Sequence, residues 1–202
     1  YTAAGAANGG EFRVNTTIST AIRKNPRVAV DSTRDIVVFA WESAESGTAD
    51  VYARRYNALT NTFPDAADFR INATTTLIQR DVDVAMNSDG TQVLFAWESD
   101  QVSSGSFDIY GRRYNASTGS FPATEFVVSN AANSQVNPAV SMDTVGDHAV
   151  FAYTNGQSGN NDIYVHRYDA VAGSFLAAES VVNTTTTGAQ IDADVAVDND
   201  GD

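Results

Sequence analysis

The chain has 202 residues, 43% hydrophobic and 18% charged, a balance that fits a folded globular protein rather than a disordered one. Its formal net charge of −13 and pI near 4.3 argue against nucleic acid or an anionic membrane as partner, because either would repel it. Cysteine is absent, which removes disulfides, thiolate metal sites and cysteine nucleophiles, and no apolar run approaches the roughly 20 residues that cross a bilayer.

Residues 1–10, YTAAGAANGG, read as an N-terminal extension without the basic start and apolar core of a signal peptide. An exported protein would have lost its leader or carry it outside this sequence. From residue 11 the chain repeats itself. EFRVN (11–15) returns as DFRIN (68–72), EFVVS (125–129) and ESVVN (179–183). NPRVAVD (25–31) returns as DVDVAMN (81–87), NPAVSMD (137–143) and DADVAVD (192–198). VVFAWESA (37–44) returns as VLFAWESD (93–100) and AVFAYTNG (149–156). DVYARRYNA (50–58) returns as DIYGRRYNA (108–116) and DIYVHRYDA (162–170). Copies lie about 54 to 57 residues apart, giving one repeat domain over 11–202 divided near 11–67, 68–124, 125–178 and a partial 179–202.

Four short β-rich runs per period, separated by Gly/Asn/Asp/Ser/Thr clusters, predict an all-β, β-propeller-like array of four-stranded antiparallel blades. Val37, Phe39 and Trp41 point one way from the FAWES strand and Val38 and Ala40 the other, so both faces are apolar and both are covered. That makes it a middle strand. The VAVD strand, with Val28, Ala29 and Val30, has the small side chains of an innermost strand beside a central channel. DVYARRY supplies a third strand and EFRVN an outermost one with polar edges. Trp41, Trp97 and Tyr153 recur at one position and are expected to fill the gap between blades. Asp50, Asp108 and Asp162 recur before the third strand, and Arg55, Arg113 and Arg167 within it, as an expected Asp–Arg pairing that ties blades together.

These phrases resemble tandem repeats of large secreted or surface-attached bacterial and archaeal proteins. The resemblance covers about residue 11 to 202 and implies propeller-like arrays with adhesive or structural roles. It is specific for architecture, because the shared residues are the ones that build blades. Two other propeller patterns do not fit. NSDGTQVLFAW holds the residue types of a sialidase Asp-box at the wrong spacing, and the acidic turns carry too few acids for integrin-type calcium repeats.

The turns between inner and middle strands are what a tight hairpin asks for in Asp and Gly. DNDGD at 198–202 comes closest to a cation site, so Asp198, Asp200 and Asp202 are the calcium candidates; no other cofactor is implied. The loops 42–50, 98–108 and 154–162 vary between copies while the flanking strands do not, the usual place for a propeller's ligand. His148 and His166 fall in different strand classes with no Ser or Asp pattern beside them, so no catalytic residue is assigned. Sequons occur at Asn15, Asn72, Asn115 and Asn183, three of them at the end of the outermost strand, an expected solvent-facing rim open to glycosylation.

The sequence thus predicts a non-enzymatic extracellular or cell-surface structural or adhesive module, with a glycan-binding or glycan-cleaving propeller as the alternative. Expected partners are further repeats, other copies of the chain, and glycans. Counting runs gives four outer, four inner, three middle and three third strands. Three and a half blades fall short of the four to eight of a closed ring. Continuation into a longer polypeptide, or a head-to-tail oligomer or filament, is therefore expected to cover the open edges.

Overall fold

The computed structural model describes residues 10–17, 20–157 and 159–199, and among them there are strands but no helix. Strands β1 (Arg23–Val30), β2 (Ile36–Ser43), β3 (Asp50–Asn57) and β4 (Phe69–Arg70) form the first antiparallel sheet, in that order. Strands β5 (Gln79–Met86), β6 (Val93–Ser103), β7 (Ser106–Tyr114) and β8 (Phe126–Ser129) form the second. The third holds β9 (Gln135–Met142), β10 (His148–Asn155) and β11 (Asp162–Asp169), with β12 (Ser174–Phe175) and β13 (Ser180–Val181) both paired to β11. Strand pairing follows chain order because short hairpins can join only antiparallel neighbours. Three such meanders stacked face to face make an open, propeller-like array of blades.

The blades are offset from the sequence repeat. The DFR run that opens the second copy closes the first sheet, so the blades span 23–70, 79–129 and 135–181. The segments 11–15 and 192–198, expected as an outer and an inner strand, carry no strand. They nevertheless hold those places. Arg54 donates to the Val14 carbonyl at 2.6 Å just as Arg112 donates to the Ile71 carbonyl at 2.6 Å, and His166 Nδ1 lies 2.8 Å from the Val128 carbonyl. In each case the third strand of one blade reaches the outermost segment of the blade before it. The extension at residues 1–9 lies outside the described residues.

Each blade has a leading face, turned toward the preceding blade, and a trailing face. Val38, Ala40, Val51 and Ala53 on the trailing face of the first blade pack against Val93, Phe95, Trp97 and Tyr110 on the leading face of the second. Leu94, Ala96 and Ile109 behind them pack against Ala149, Phe151 and Tyr153 of the third. The pleat sends alternate side chains to opposite faces, so a strand clamped between two blades is covered on both sides. Val93 through Asp100 of β6 are accordingly all buried. Trp97 has no exposed surface, and its indole N–H donates to Gln79 Oε1 at 3.0 Å.

Asn25, Asp81, Asn137 and Asp192 occupy the same repeat position and share a positive φ, between 48° and 59°. Asn and Asp are the non-glycine residues that best tolerate this conformation. In β1 and β5 the ladder register shifts at that position, a bulge that turns the following residues toward the array's inner edge. Glu42 and Glu98, the acids of the FAWES phrase, reach across to this bulge in the next blade. Glu98 accepts from the Asn137 backbone N–H at 2.7 Å, Glu42 from that of Asp81 at 3.5 Å, and Thr154 takes their place with Asp192 at 3.3 Å. A polar clasp therefore sits at the end of each apolar interface.

Among the described residues no helix is long and apolar enough to cross a membrane. Trp97→Ala is expected to cost roughly 3–5 kcal/mol in urea denaturation, the range for a large core aromatic, and Trp41→Ala less than that, since no blade covers its leading face. Equal losses at the two positions would contradict this arrangement.

Candidate functional site

The inner segments of all four copies converge on one cleft of about 510 Å³. Arg27 from β1, Asp81 and Asp83 from β5, Asn137 from β9, and Asp192 and Asp194 from the last segment line it. The bulge explains why polar groups gather here, because the residue at the bulge and the one two places later both turn inward. Asn25 Nδ2 donates to Asp81 at 2.5 Å, and Arg27 Nε lies 3.5 Å from Asp83. Asp83 also accepts from the Val140 backbone N–H at 2.8 Å, which binds the second and third inner strands together.

Burial raises the Asp83 carboxyl above the ordinary aspartate range. The amides of Val140 and Val84 and the charge of Arg27 oppose the rise, while Asp194 across the cleft adds to it. Glu98, behind the cleft, is likewise raised, first by burial; its bonds to the Asn137 amide and to Arg80 pull the other way. The cleft thus pairs a carboxyl that resists ionisation with exposed Asp192 and Asp194 at its open side.

The residues singled out in the sequence lie elsewhere. Trp41, Trp97 and Tyr153 are 6%, 0% and 0% exposed and belong to the blade faces, so none offers a stacking platform. Asp50 and Asp162 accept from the side-chain amides of Asn72 and Asn183 at 2.6 and 2.8 Å. In the second blade Ser129, paired with Ile109, stands where the other blades have Asn, and burial raises the Asp108 carboxyl. Arg55 instead grips Asp65 at 2.5 Å and the Ala116 carbonyl at 2.6 Å, Arg113 approaches Gln92 Oε1 at 3.5 Å, and Arg167 is exposed.

The sequons are not a uniform solvent-facing rim. Asn72 is 1% exposed; its Oδ1 accepts from the Val51 N–H at 2.9 Å and its amide donates to Asp50 and to the Thr74 carbonyl. Asn183 repeats this clamp on Ile163 and Asp162, and Asn15 donates to the Thr17 carbonyl. Asn115 caps a turn, accepting from the amides of Ser117 and Thr118. Of the calcium candidates, Asp200 and Asp202 lie outside the described residues, and among those described no group of three or more metal-ligating side chains comes together. The 98–108 loop is largely strand, because β6 and β7 continue as a hairpin to Ser103 and Ser106. His148 lies beside Asp143 in a turn, and His166 bridges two carbonyls against Phe175. Sequence reasoning missed the cleft and the Glu42/Glu98 clasp. An acid recurring inside an otherwise apolar strand was the available signal for the clasp.

No family model matches the chain, and no curated protein matches it. Among solved structures, it is similar to a subtype N10 neuraminidase-like protein of A/little yellow-shouldered bat/Guatemala, at 11% identity and a TM-score of 0.46, over 85% of this chain and 48% of that one. It is similar to the α-L-arabinofuranosidase PaAbf62A from Podospora anserina, solved with cellotriose, at 9% identity and a TM-score of 0.48, over 83% and 54%. A GH62 hydrolase solved with xylotriose gives 10% identity and a TM-score of 0.47, over 81% and 52%. The chain spans about half the length of these proteins. Set against neighbours of this kind, the expectation of a chain without enzymatic function is withdrawn.

Two measurements test the site. Asp83 has a raised pKa in the folded chain, so its contribution to stability is present at low pH and is lost as pH rises through that value. The wild-type protein is therefore expected to gain stability relative to Asp83→Asn in urea titrations as pH falls from neutral toward the ordinary aspartate value of 3.8; a difference that stays constant or shrinks over that range would contradict the raised pKa. Asn72→Ala strands the buried Val51 N–H and is expected to cost roughly 1–3 kcal/mol, with loss below about 0.5 kcal/mol speaking against the clamp.

Proposed function

We propose that this chain is a glycan-binding and glycan-cleaving β-propeller segment that works at the cleft of the inner strands, outside the cell. The observation that supports the reading is the convergence there of Asp81, Asp83, Asp192 and Asp194, with burial holding Asp83 toward its protonated form. Glycoside hydrolysis needs one carboxyl that keeps a proton for the leaving-group oxygen and one that stays ionised on the other side of the scissile bond. Asp83 fits the first role, and Asp194 is the exposed carboxylate on the other side of the cleft. Asp81, Asn137 and Arg27 supply donors and acceptors suited to sugar hydroxyls, and a cleft already shaped by rigid strands spares the cost of ordering loops.

The test is a panel of neutral oligosaccharides and aryl glycosides offered to the full chain, followed by binding and release assays. Asp83→Asn is expected to lower turnover by about 10²- to 10⁴-fold, the usual share of a general acid, while leaving oligosaccharide binding in place. Wild-type turnover is expected to fall as pH rises and Asp83 loses its proton. A full chain that neither binds nor cleaves any member of the panel would overturn the reading, as would an Asp83→Asn variant with unchanged turnover.

A further inference from the structure

The acid that opens each third strand is held in two blades and left without a partner in the other. In the first blade both oxygens of Asp50 are engaged: Oδ1 accepts from the Asn72 amide and Oδ2 from the Ser46 hydroxyl, each at 2.6 Å. In the third, Asp162 accepts from Asn183 at 2.8 Å. Asp108 of the second blade has lost both kinds of donor. Ser129 stands in place of the asparagine and gives its hydroxyl to Glu179 at 2.7 Å. The loop that supplies Ser46 is replaced by the β6–β7 hairpin, which runs on to Ser103 and Ser106. Asp108 is only 8% exposed, and none of the described residues bonds or neutralises its carboxylate. Burying such a group without a donor is costly, and the rest of the blade gives no return for it.

A second polar atom beside it is also without a partner. Gln101 Oε1 is buried with no donor. Asp108 and Tyr110 lie on one face of β7, and the Tyr110 hydroxyl stands beside the Gln101 side chain, in the field of the Asp108 and Glu125 carboxylates. No lysine, arginine or histidine opposes that field at either Asp108 or Tyr110. Glu125 is already occupied by the Ala73 amide and the Thr74 hydroxyl, and Tyr110 is fixed by stacking on Trp97. The hairpin tip, residues 102–105, is exposed and opens the place to solvent. The second blade, which has a blade on either side, builds the whole site from its own residues.

We propose that Asp108, Gln101 and Tyr110 form a binding site for a primary ammonium group. An –NH₃⁺ has three donors and no acceptor, which matches a carboxylate, an amide oxygen and a hydroxyl oxygen. It supplies the hydrogen bonds that Asn72 and Ser46 give Asp50, and adds the charge that a buried carboxylate lacks. A neutral hydroxyl would gain nothing from the two carboxylates. A divalent metal asks for six to eight oxygens with several carboxylates among them, and among the described residues no group of three or more metal-ligating side chains comes together. Amino sugars and lysine side chains both present the group. The site shares no residue with the lining of the inner cleft and stands independently of the glycan reading.

The experiment is isothermal titration calorimetry of the full chain with methylammonium chloride at fixed ionic strength, with sodium, tetramethylammonium and calcium chloride as comparison salts. Saturable binding of methylammonium is expected, and none of the comparison salts is expected to reproduce it. Asp108→Asn keeps the shape and removes the charge, and is expected to weaken binding about tenfold or more. Ser129→Asn sets opposite Asp108 the amide that holds Asp50 and Asp162, and is expected to abolish binding with an unchanged circular dichroism spectrum. The tighter binder of glucosamine and Nα-acetyl-lysine amide identifies the source of the group, and either should lose affinity in both variants. Asp108→Asn is expected to leave glycan turnover unchanged, so the two proposals fail separately. The inference is overturned by a wild-type chain with no saturable methylammonium binding, by binding that both variants leave intact, or by calcium or sodium binding that Asp108→Asn removes.

Discussion

Face-to-face packing of one blade on the next governs this molecule. A four-stranded meander has two apolar faces and cannot bury either alone, so each blade is stable only between neighbours. The chain meets this by writing the same middle strand at a spacing of 56 residues, which sets equivalent side chains opposite one another: Val38 and Ala40 against Phe95 and Trp97, then Leu94 and Ala96 against Phe151 and Tyr153. At the end of each apolar interface a polar residue, Glu42, Glu98 or Thr154, accepts from the next blade's bulge amide. The apolar contact supplies the stabilisation. The clasp fixes rotation and height of one blade against the next, because a buried carboxylate without its amide partner would be costly.

The cleft follows from that stacking. When blades are held in register, the inner segments must lie side by side, and the residues after each bulge come to face a common space. Asp83 is drawn into this space by the Val140 amide while its neighbours stay wet, so its carboxyl and those at the rim meet different surroundings. The outer rim is fixed by similar means. Asp68 and Glu125 accept from the backbone amides of Thr16 and Ala73 at 2.8 Å, and Glu179 from the Ser129 hydroxyl at 2.7 Å. These contacts bind the outermost segment of one blade to the next.

The architecture was legible in the sequence because packing repeats leave repeated words. Period, strand number and the two-sided middle strand all follow from apolar residues whose role depends on their own strand. The sites were less legible because their meaning depends on partners from other copies. Asn72 reads as a sequon until the Val51 amide and Asp50 are seen to enclose it. Asp50 reads as a partner for an arginine until the amide of Asn72 is seen to hold it. The cleft takes its residues from segments more than fifty positions apart, and the place immediately before each VAV-type run, Arg27, Asp83, Ala139 and Asp194, shows no common chemistry to flag it.

If blade-on-blade packing holds the array together, backbone protection should follow the number of covered faces rather than strand length or position in a sheet. Native-state amide hydrogen exchange, at a concentration where the chain is a single copy, tests this most directly. The account predicts slowest exchange in β6, from Val93 to Glu98, at the free energy of global unfolding. β2 and β10, each covered by one blade, should exchange faster, and β1 and β13 fastest. Protection in β1 equal to that in β6 would contradict it.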